Sequence, residues 1–334
     1  MGAKTGIEWT DATWNPILGC SRVSEGCRNC YAETIAGRFG QGKPTVYSGL
    51  TQIVNGRSVW TGVIKETRQL LQPLSWRSPR RVFVNSMSDL FHENVSDELR
   101  DRIFAVMALC PQHAFQVLTK RPERMLAYLS DSDTPLRVLR GKAQVWQADR
   151  HEESLGLPRM TTDYMLPNVW LGVSVENQRA ADERIPLLLQ TPAAVRFISA
   201  EPLLGLIDLE ALPSASGIGR HLNALSNAGV DAGAEIPTKL DWVIVGGESG
   251  PHARPMHLEW ARSLRDQCRA AGVDFFFKQW GEWVPAISLD EPLDGQQERF
   301  MKVGKHAAGA ILDGREWREC PNTGLAGAIF GNYT

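Results

Sequence analysis

Six short apolar runs recur along the chain, and each gives way to polar residues. They are 82–84, 115–118, 169–173, 195–198, 242–245 and 275–277. Runs this short, rich in Val, Ile and aromatic residues, predict buried strands of a parallel sheet. Between some of them the apolar residues follow a helical period. Residues 96–110 open on a Ser-Asp cap and bring Leu99, Ile103, Val106 and Met107 onto one stripe. Residues 257–271 repeat that period, and Gly272 ends them. A further helix is predicted from about Arg28, with Asn29 as its cap, after a first strand. Alternating strands and helices predict an α/β fold with a parallel sheet. A partial or complete (β/α) barrel is the architecture expected, with an open doubly wound sheet as the alternative.

Two long connections interrupt the alternation. Residues 128–167 hold Ser-Asp-Ser-Asp-Thr-Pro and a basic stretch, and residues 205–240 are rich in small residues. Both are expected to be insertions in a barrel covering 1–283. Residues 284–334 are expected to form a C-terminal extension, with a hairpin over the barrel mouth.

The chain has 334 residues, 43% of them hydrophobic, enough for a substantial core. No apolar run approaches the roughly 20 residues of a membrane span, so no membrane partner is expected. Six cysteines without an apolar secretory segment point to a reducing, cytoplasmic setting, in a bacterium or a phage-infected cell. The net charge of −2 does not mark the whole chain as a nucleic-acid binder. Its distribution is uneven: residues 31–150 carry 17 Lys/Arg against 11 Asp/Glu, and residues 151–334 carry 16 against 24. Arg77, Arg80, Arg81, Lys120, Arg121, Arg124, Arg137, Arg140 and Lys142 belong to the basic part. Such a region can meet a phosphate backbone, and solvated helix faces explain it equally well.

The chemistry concentrates in one loop, where Cys20, Cys27 and Cys30 are spaced C-x6-C-x2-C. Three thiolates can hold three corners of a [4Fe-4S] cluster and leave its fourth iron open to a small molecule. A closed zinc site would want a fourth protein ligand, and the nearest histidine in sequence is His92. Cys110, Cys268 and Cys320 stand singly.

The stretch NPILGC followed by CRNCYAE resembles the cluster loop of radical S-adenosylmethionine (SAM) proteins, nearest to the spore photoproduct lyases. The usual loop of that superfamily is C-x3-C-x2-C with an aromatic before the last cysteine. Here the first gap is six, and Asn29 takes the aromatic position. The chain as a whole is similar to a phage-associated family with a three-cysteine motif. That similarity runs through TGIEWTDATWNP (5–16), SMSDLFH (86–92), LTKRPERM (118–125), LGVSVENQ (171–178), ISAEPLLG (198–205), VGGESG (245–250) and FFKQWGEW (276–283). It implies a radical-SAM-type barrel, a [4Fe-4S] cluster on Cys20, Cys27 and Cys30, and SAM as cosubstrate. It also implies a nucleic-acid substrate (DNA repair or base modification), an electron donor such as flavodoxin or ferredoxin, and a separate three-cysteine-motif partner protein.

Parallel barrels bind ligands at the carboxyl ends of their strands. Those ends carry Ser86 and Asp89, Lys120, Ser174 and Glu176, Glu201, the Gly246-Gly247-Glu248 turn, and Lys278. Glu176, Glu201 and Glu248 are candidate acceptors for the SAM amino group, and Lys120, Arg121 and Ser174 candidate donors to its carboxylate. Ser86, Gly246, Gly247 and Lys278 complete the candidate cofactor set, and Tyr31, Asp89 and Lys120 are candidates for contact with the reacting groups. For each carboxylate an ordinary ion pair is the plainer expectation, and for His92 a satisfied structural histidine. Trp9 and Trp14, just before the loop, are expected to pack. Two other functions compete. One is a zinc or iron–sulfur binding module without catalysis, acting in phage–host interaction. The other is a metal-dependent hydrolase, which lacks any paired histidine ligands in the sequence.

Overall fold

The computed structural model describes residues 5–42, 44–149, 166–213, 221–226, 238–286 and 299–322. Each of the six apolar runs forms a strand, and a seventh precedes the cysteine loop. The strands are β1 (Ala12–Trp14), β2 (Arg81–Val84), β3 (Ala114–Thr119), β4 (Val169–Ser174), β5 (Val195–Ala200), β6 (Trp242–Gly246) and β7 (Asp274–Gln279). They pair in chain order and all in parallel. Among the described residues β7 does not pair with β1, so the sheet is a half barrel.

Helices α1 (Tyr31–Gly40), α2 (Asp97–Leu109), α3 (Pro122–Ser130), α4 (Thr134–Asp149), α5 (Gln178–Gln190), α6 (Leu258–Ala271) and α7 (Lys305–Ala308) complete the main elements. The Ser96 hydroxyl accepts from the Leu99 N–H and caps α2, and Gly272 ends α6 at φ 63°. Helix α1 starts later than the sequence predicts. Cys30 is its N-cap, and residues Glu25–Cys27 form a separate 3-10 turn. The Asn29 amide is turned away to donate to Glu248 and to the His252 carbonyl.

The sheet buries both faces. Val82, Val84, Val117, Leu171, Ile198, Val243 and Phe275 point outward into the core shared with Ile103, Leu188 and Leu264 of the helices. The alternate residues Phe83, Trp170, Phe197, Trp242, Ile244 and Phe276 point inward and gather with Trp9. Trp9 lies 4.7 Å from the Phe83 ring on β2 and 6.1 Å from Trp242 on β6. In a flat sheet those strands would stand about 19 Å apart. One indole meets both because the sheet curls.

Of the two expected insertions, 128–167 contains α4, which the sequence reading missed. Its buried stripe is Thr134, Val138 and Val145, with Gly141 closing on α2 and the buried Lys142 beside them. Leu136 and Leu139 stand exposed, so the apolar residues of the segment do not single out its buried stripe. In 205–240 the described part includes a short pair, Leu212–Pro213 with His221–Leu222. Residues 150–165, 214–220, 227–237, 287–298 and 323–334 lie outside the described set.

Trp283–Pro285 pairs antiparallel with Phe300–Lys302, and Lys305 of α7 lines the cavity at the strand ends. The segment 317–319 then runs antiparallel along β7. The Phe277 N–H donates to the Trp317 carbonyl at 3.0 Å and the Glu319 N–H to the Phe275 carbonyl at 3.2 Å. The exposed edge of the sheet is thereby covered. No described helix is long and apolar enough to cross a membrane.

Gly172 on β4 points into the aromatic interior, where a Cβ would lie 2.5 Å from the Phe197 ring. Alanine in a strand ordinarily stabilises relative to glycine, so the clash reverses the sign. Gly172→Ala is expected to lower stability by about 1–3 kcal/mol in urea unfolding.

Candidate functional site

The carboxyl ends of the strands surround a cavity of about 610 Å³. Cys20, Cys27 and Cys30 line one side of it. Ser86, Asp89, Lys120, Ser174, Glu201, Gly247, Glu248 and Lys278 line the rest, with Tyr31 at the edge. Two candidates fall elsewhere. Glu176 faces a neighbouring polar cleft of about 720 Å³, and Gly246 is buried below the rim against Glu201.

The cysteine loop is tied to four strand ends. After β2, the Gly19 N–H donates to the Met87 carbonyl at 3.1 Å. Gly19 has φ 102°, and a Cβ there would stand 2.0 Å from the Val63 carbonyl oxygen, so only glycine fits. After β3, the Arg121 guanidinium donates to the Ser21 hydroxyl at 2.7 Å and lies 4.0 Å from Cys20 Sγ. After β4, the Asn177 amide donates to Glu25 at 2.5 Å, and Gly26 lies so close to Glu176 that a Cβ would be 3.1 Å from its carboxyl carbon. After β6, Glu248 accepts from the Asn29 amide at 3.0 Å and from Arg254 at 2.6 Å. Within the loop, Arg22 pairs with the buried Glu33 at 2.5 Å, and Glu33 also accepts from the Trp60 N–H. Cys20 and Cys30 pack against a small separate cluster of Leu18, Ala32, Ala36, Leu50, Trp60 and Met87.

Asp89 is the most heavily engaged side chain at the mouth. One oxygen accepts from the Phe91 N–H at 2.9 Å and the Thr119 hydroxyl at 2.7 Å. The other accepts from the Lys120 N–H and from Arg121, both at 3.1 Å. Its role here is to join the ends of β2 and β3 and to hold Arg121 against the loop. His92 is satisfied on both ring nitrogens, by the Ser21 hydroxyl and the Asn94 N–H. The Tyr31 hydroxyl donates to the Ser86 carbonyl at 2.8 Å while its ring stays half exposed. Trp14 packs outward on Phe115, and its indole N–H donates to the Gln69 carbonyl.

The three glutamates differ. Glu176 is 1% exposed and pairs with Arg184 at 2.9 Å and Lys120 at 3.3 Å. Burial pushes its pKa up, and the two cations outweigh burial and hold it at about 2. Glu248 is engaged with Asn29 and Arg254. Glu201 pairs with Lys278 at 2.6 Å and is the partly exposed one facing the cavity. The basic residues of the sequence do not collect on one face. Arg81 pairs with Asp11 at the opposite end of the sheet, Arg137 with Asp101 and Asp131, and Arg124 donates to the Phe91 carbonyl.

The thiols respond to enclosure. Burial, followed by the Asp89 charge, pushes Cys20 up to about 12 against the pull of Arg121. Burial also raises Cys30. Each of these thiols feels the charge of the other two cysteines or of Cys27. Among the described residues no three His, Cys, Asp or Glu side chains converge as ligands of a single ion. The three cysteine thiols line one wall of the cavity.

Sequence reasoning gave two residues of this site no role in it: Asn15 accepts from the Ser86 and Met87 N–H groups, and Asn29 ties the loop to Glu248. Asn85, which the sequence places among the polar residues ending the second strand, lines the cavity.

A family model described as a protein of unknown function (DUF5131) matches residues 4–321. No curated protein and no solved structure matches the chain.

Removing Asp89 takes the acceptor from four donors and leaves Arg121 with Glu93, at 2.9 Å, as its remaining carboxylate partner. Asp89→Ala is expected to cost about 1–3 kcal/mol, measured by urea unfolding. Glu176 has a depressed pKa, so its contribution is complete above the ordinary glutamate value of 4.5 and is lost as the pH falls towards about 2. The stability of Glu176→Gln is accordingly expected to fall less steeply than that of the wild type across that window.

Proposed function

The chain belongs to the DUF5131 family, and we propose that it is an iron–sulfur enzyme of radical-SAM type acting on a nucleic-acid substrate. The observation that carries the proposal is the position of Cys20, Cys27 and Cys30. They line the carboxyl-end cavity of a parallel half barrel, where such folds bind ligands. Each cysteine would hold one iron of a [4Fe-4S] cluster, leaving one iron for SAM. When bound, that pair supplies one-electron cleavage of SAM and hydrogen-atom abstraction from a substrate.

The chain's own residues bind, orient and shield. Arg121, Asn177, Glu248 and Met87 hold the loop to the strand ends. Glu201 is the acceptor best placed for an amino group: it is the most exposed of the three and pairs with Lys278, whereas Glu176 and Glu248 are buried and each held by several partners. Ser174 and Lys120 are donors to a carboxylate on the same wall. Trp9, Phe83 and Leu118 give the cavity a dry side. The alternative zinc module lacks a specific observation in its favour. The nucleic-acid substrate, an external electron donor and a three-cysteine-motif partner protein belong to the proposal through the resemblance of the motifs alone.

Purification without oxygen is expected to yield a brown protein with about four iron and four sulfide per chain. The colour is expected to vanish in the triple Cys20→Ala, Cys27→Ala, Cys30→Ala variant, and the wild type to cleave SAM when reduced. A colourless protein holding one zinc after anaerobic reconstitution, or a full cluster that never cleaves SAM, would overturn the proposal.

A further inference from the structure

Among the described residues, two side chains at the cavity have buried polar atoms without a hydrogen-bond partner, the Trp9 indole N–H and the Asn85 amide, and only Asn85 leaves both a donor and an acceptor unanswered. It is 4% exposed, and neither its Oδ1 nor its Nδ2 has a hydrogen-bond partner. It lines the cavity one residue beyond β2, on the inward side of the strand that carries Phe83. The neighbouring carboxylates are answered: Asp89 by four donors, Glu248 by Asn29 and Arg254.

The backbone around Asn85 is fixed from both sides. The Asn15 side chain accepts from the Ser86 N–H at 2.8 Å and the Met87 N–H at 3.0 Å, and the Tyr31 hydroxyl holds the Ser86 carbonyl. The amide therefore stands on a rigid turn. A buried amide without partners costs stability, and such a group persists where a ligand completes it. A primary amide offers a donor and an acceptor side by side in one plane. Its complement is a flat ring edge bearing an adjacent acceptor and donor, as a nucleobase does. Beside Asn85 the cavity wall is apolar and aromatic, with Trp9 and Phe83 in edge-to-face contact at 4.7 Å and Leu118 adjoining. A planar ring is thus met by apolar surface on one side and by the amide at its edge.

We propose that Asn85 is a specificity-determining residue that reads a nucleobase edge inside the cavity. The inference deepens the proposed function by naming the ligand chemistry, and it needs the cavity rather than the cluster. The base has two sources, the adenine of SAM or a base of the nucleic-acid substrate.

The test is equilibrium binding to the full-length protein, reconstituted and metal-stripped. The probes are SAM, adenosine and four single-stranded homo-oligonucleotides. Wild type is expected to prefer one base, and Asn85→Ala to weaken that probe by about 10- to 100-fold. Loss on SAM and adenosine alone assigns the site to the cofactor's adenine. Loss on one oligonucleotide, with SAM unchanged, assigns it to a substrate base. A second variant reads the amide itself. Asn85→Leu keeps the branched heavy-atom shape and removes the unpaired groups, so its urea midpoint is expected to equal or exceed that of wild type while base preference disappears. Equal binding of every probe by wild type and both variants, no binding of any probe by wild type, or a lower midpoint for Asn85→Leu would overturn the inference. A protein that never cleaves SAM can still show base preference through Asn85, and one that cleaves SAM can lack it, so the two readings fail separately.

Discussion

A buried carboxylate sets the geometry of the barrel mouth. Asp89 collects two backbone N–H groups, a hydroxyl and a guanidinium, drawn from β2, β3 and the turn beyond β3. Its charge is answered by Arg121, and Arg121 in turn grips Ser21 beside the first cysteine. A charge so placed is tolerable only with all its partners present. The ends of two strands and the entry to the cysteine loop are therefore one electrostatic unit. The wall on which a cofactor would sit inherits its shape from that unit.

The same division of labour runs round the mouth. Glu176 and Glu248 face the cysteine loop from β4 and β6 and hold it by contact with Gly26 and a bond to Asn29. Carboxylates that chemistry would recruit as ligand acceptors serve here as supports. Glu201 and Lys278, paired across β5 and β7, face the open space instead. Beneath them the inward side chains become aromatic within one or two residues, as in Phe197 below Ser199 and Phe276 below Lys278. The cavity is a polar ring above an aromatic floor, made by strands whose inward positions change character at one level.

The strands were legible because runs such as Val169–Val173 are apolar on both faces, and the rule that ligands gather at strand ends located the mouth. That two-sided burial also concealed the inner column. In Val82-Phe-Val-Asn85 nothing in composition separates the outward valines from the inward Phe83 and Asn85; register and curl do so. Helix α4 was invisible because Gly141 and Lys142 occupy its packed side. The start of α1 was misplaced because Asn29, a good cap by type, bonds to a residue 219 positions away. Which carboxylates are free could not be read either, since Arg254 and Arg184 answer them only after folding.

The cysteine loop precedes the last six strands of the sheet in the chain, yet Asn29 and Glu25 are held by Glu248 and Arg254. Contacts across such separations close late, because their loop entropy is met only after the intervening strands have formed. Until those contacts close, the folding chain carries three unshielded thiols. Their enclosure comes with the sixth strand, so maturation of the site is timed by completion of the sheet. Until then the loop is open to oxidation and to stray metal ions. A cell making this protein must either keep that interval short or keep its surroundings reducing.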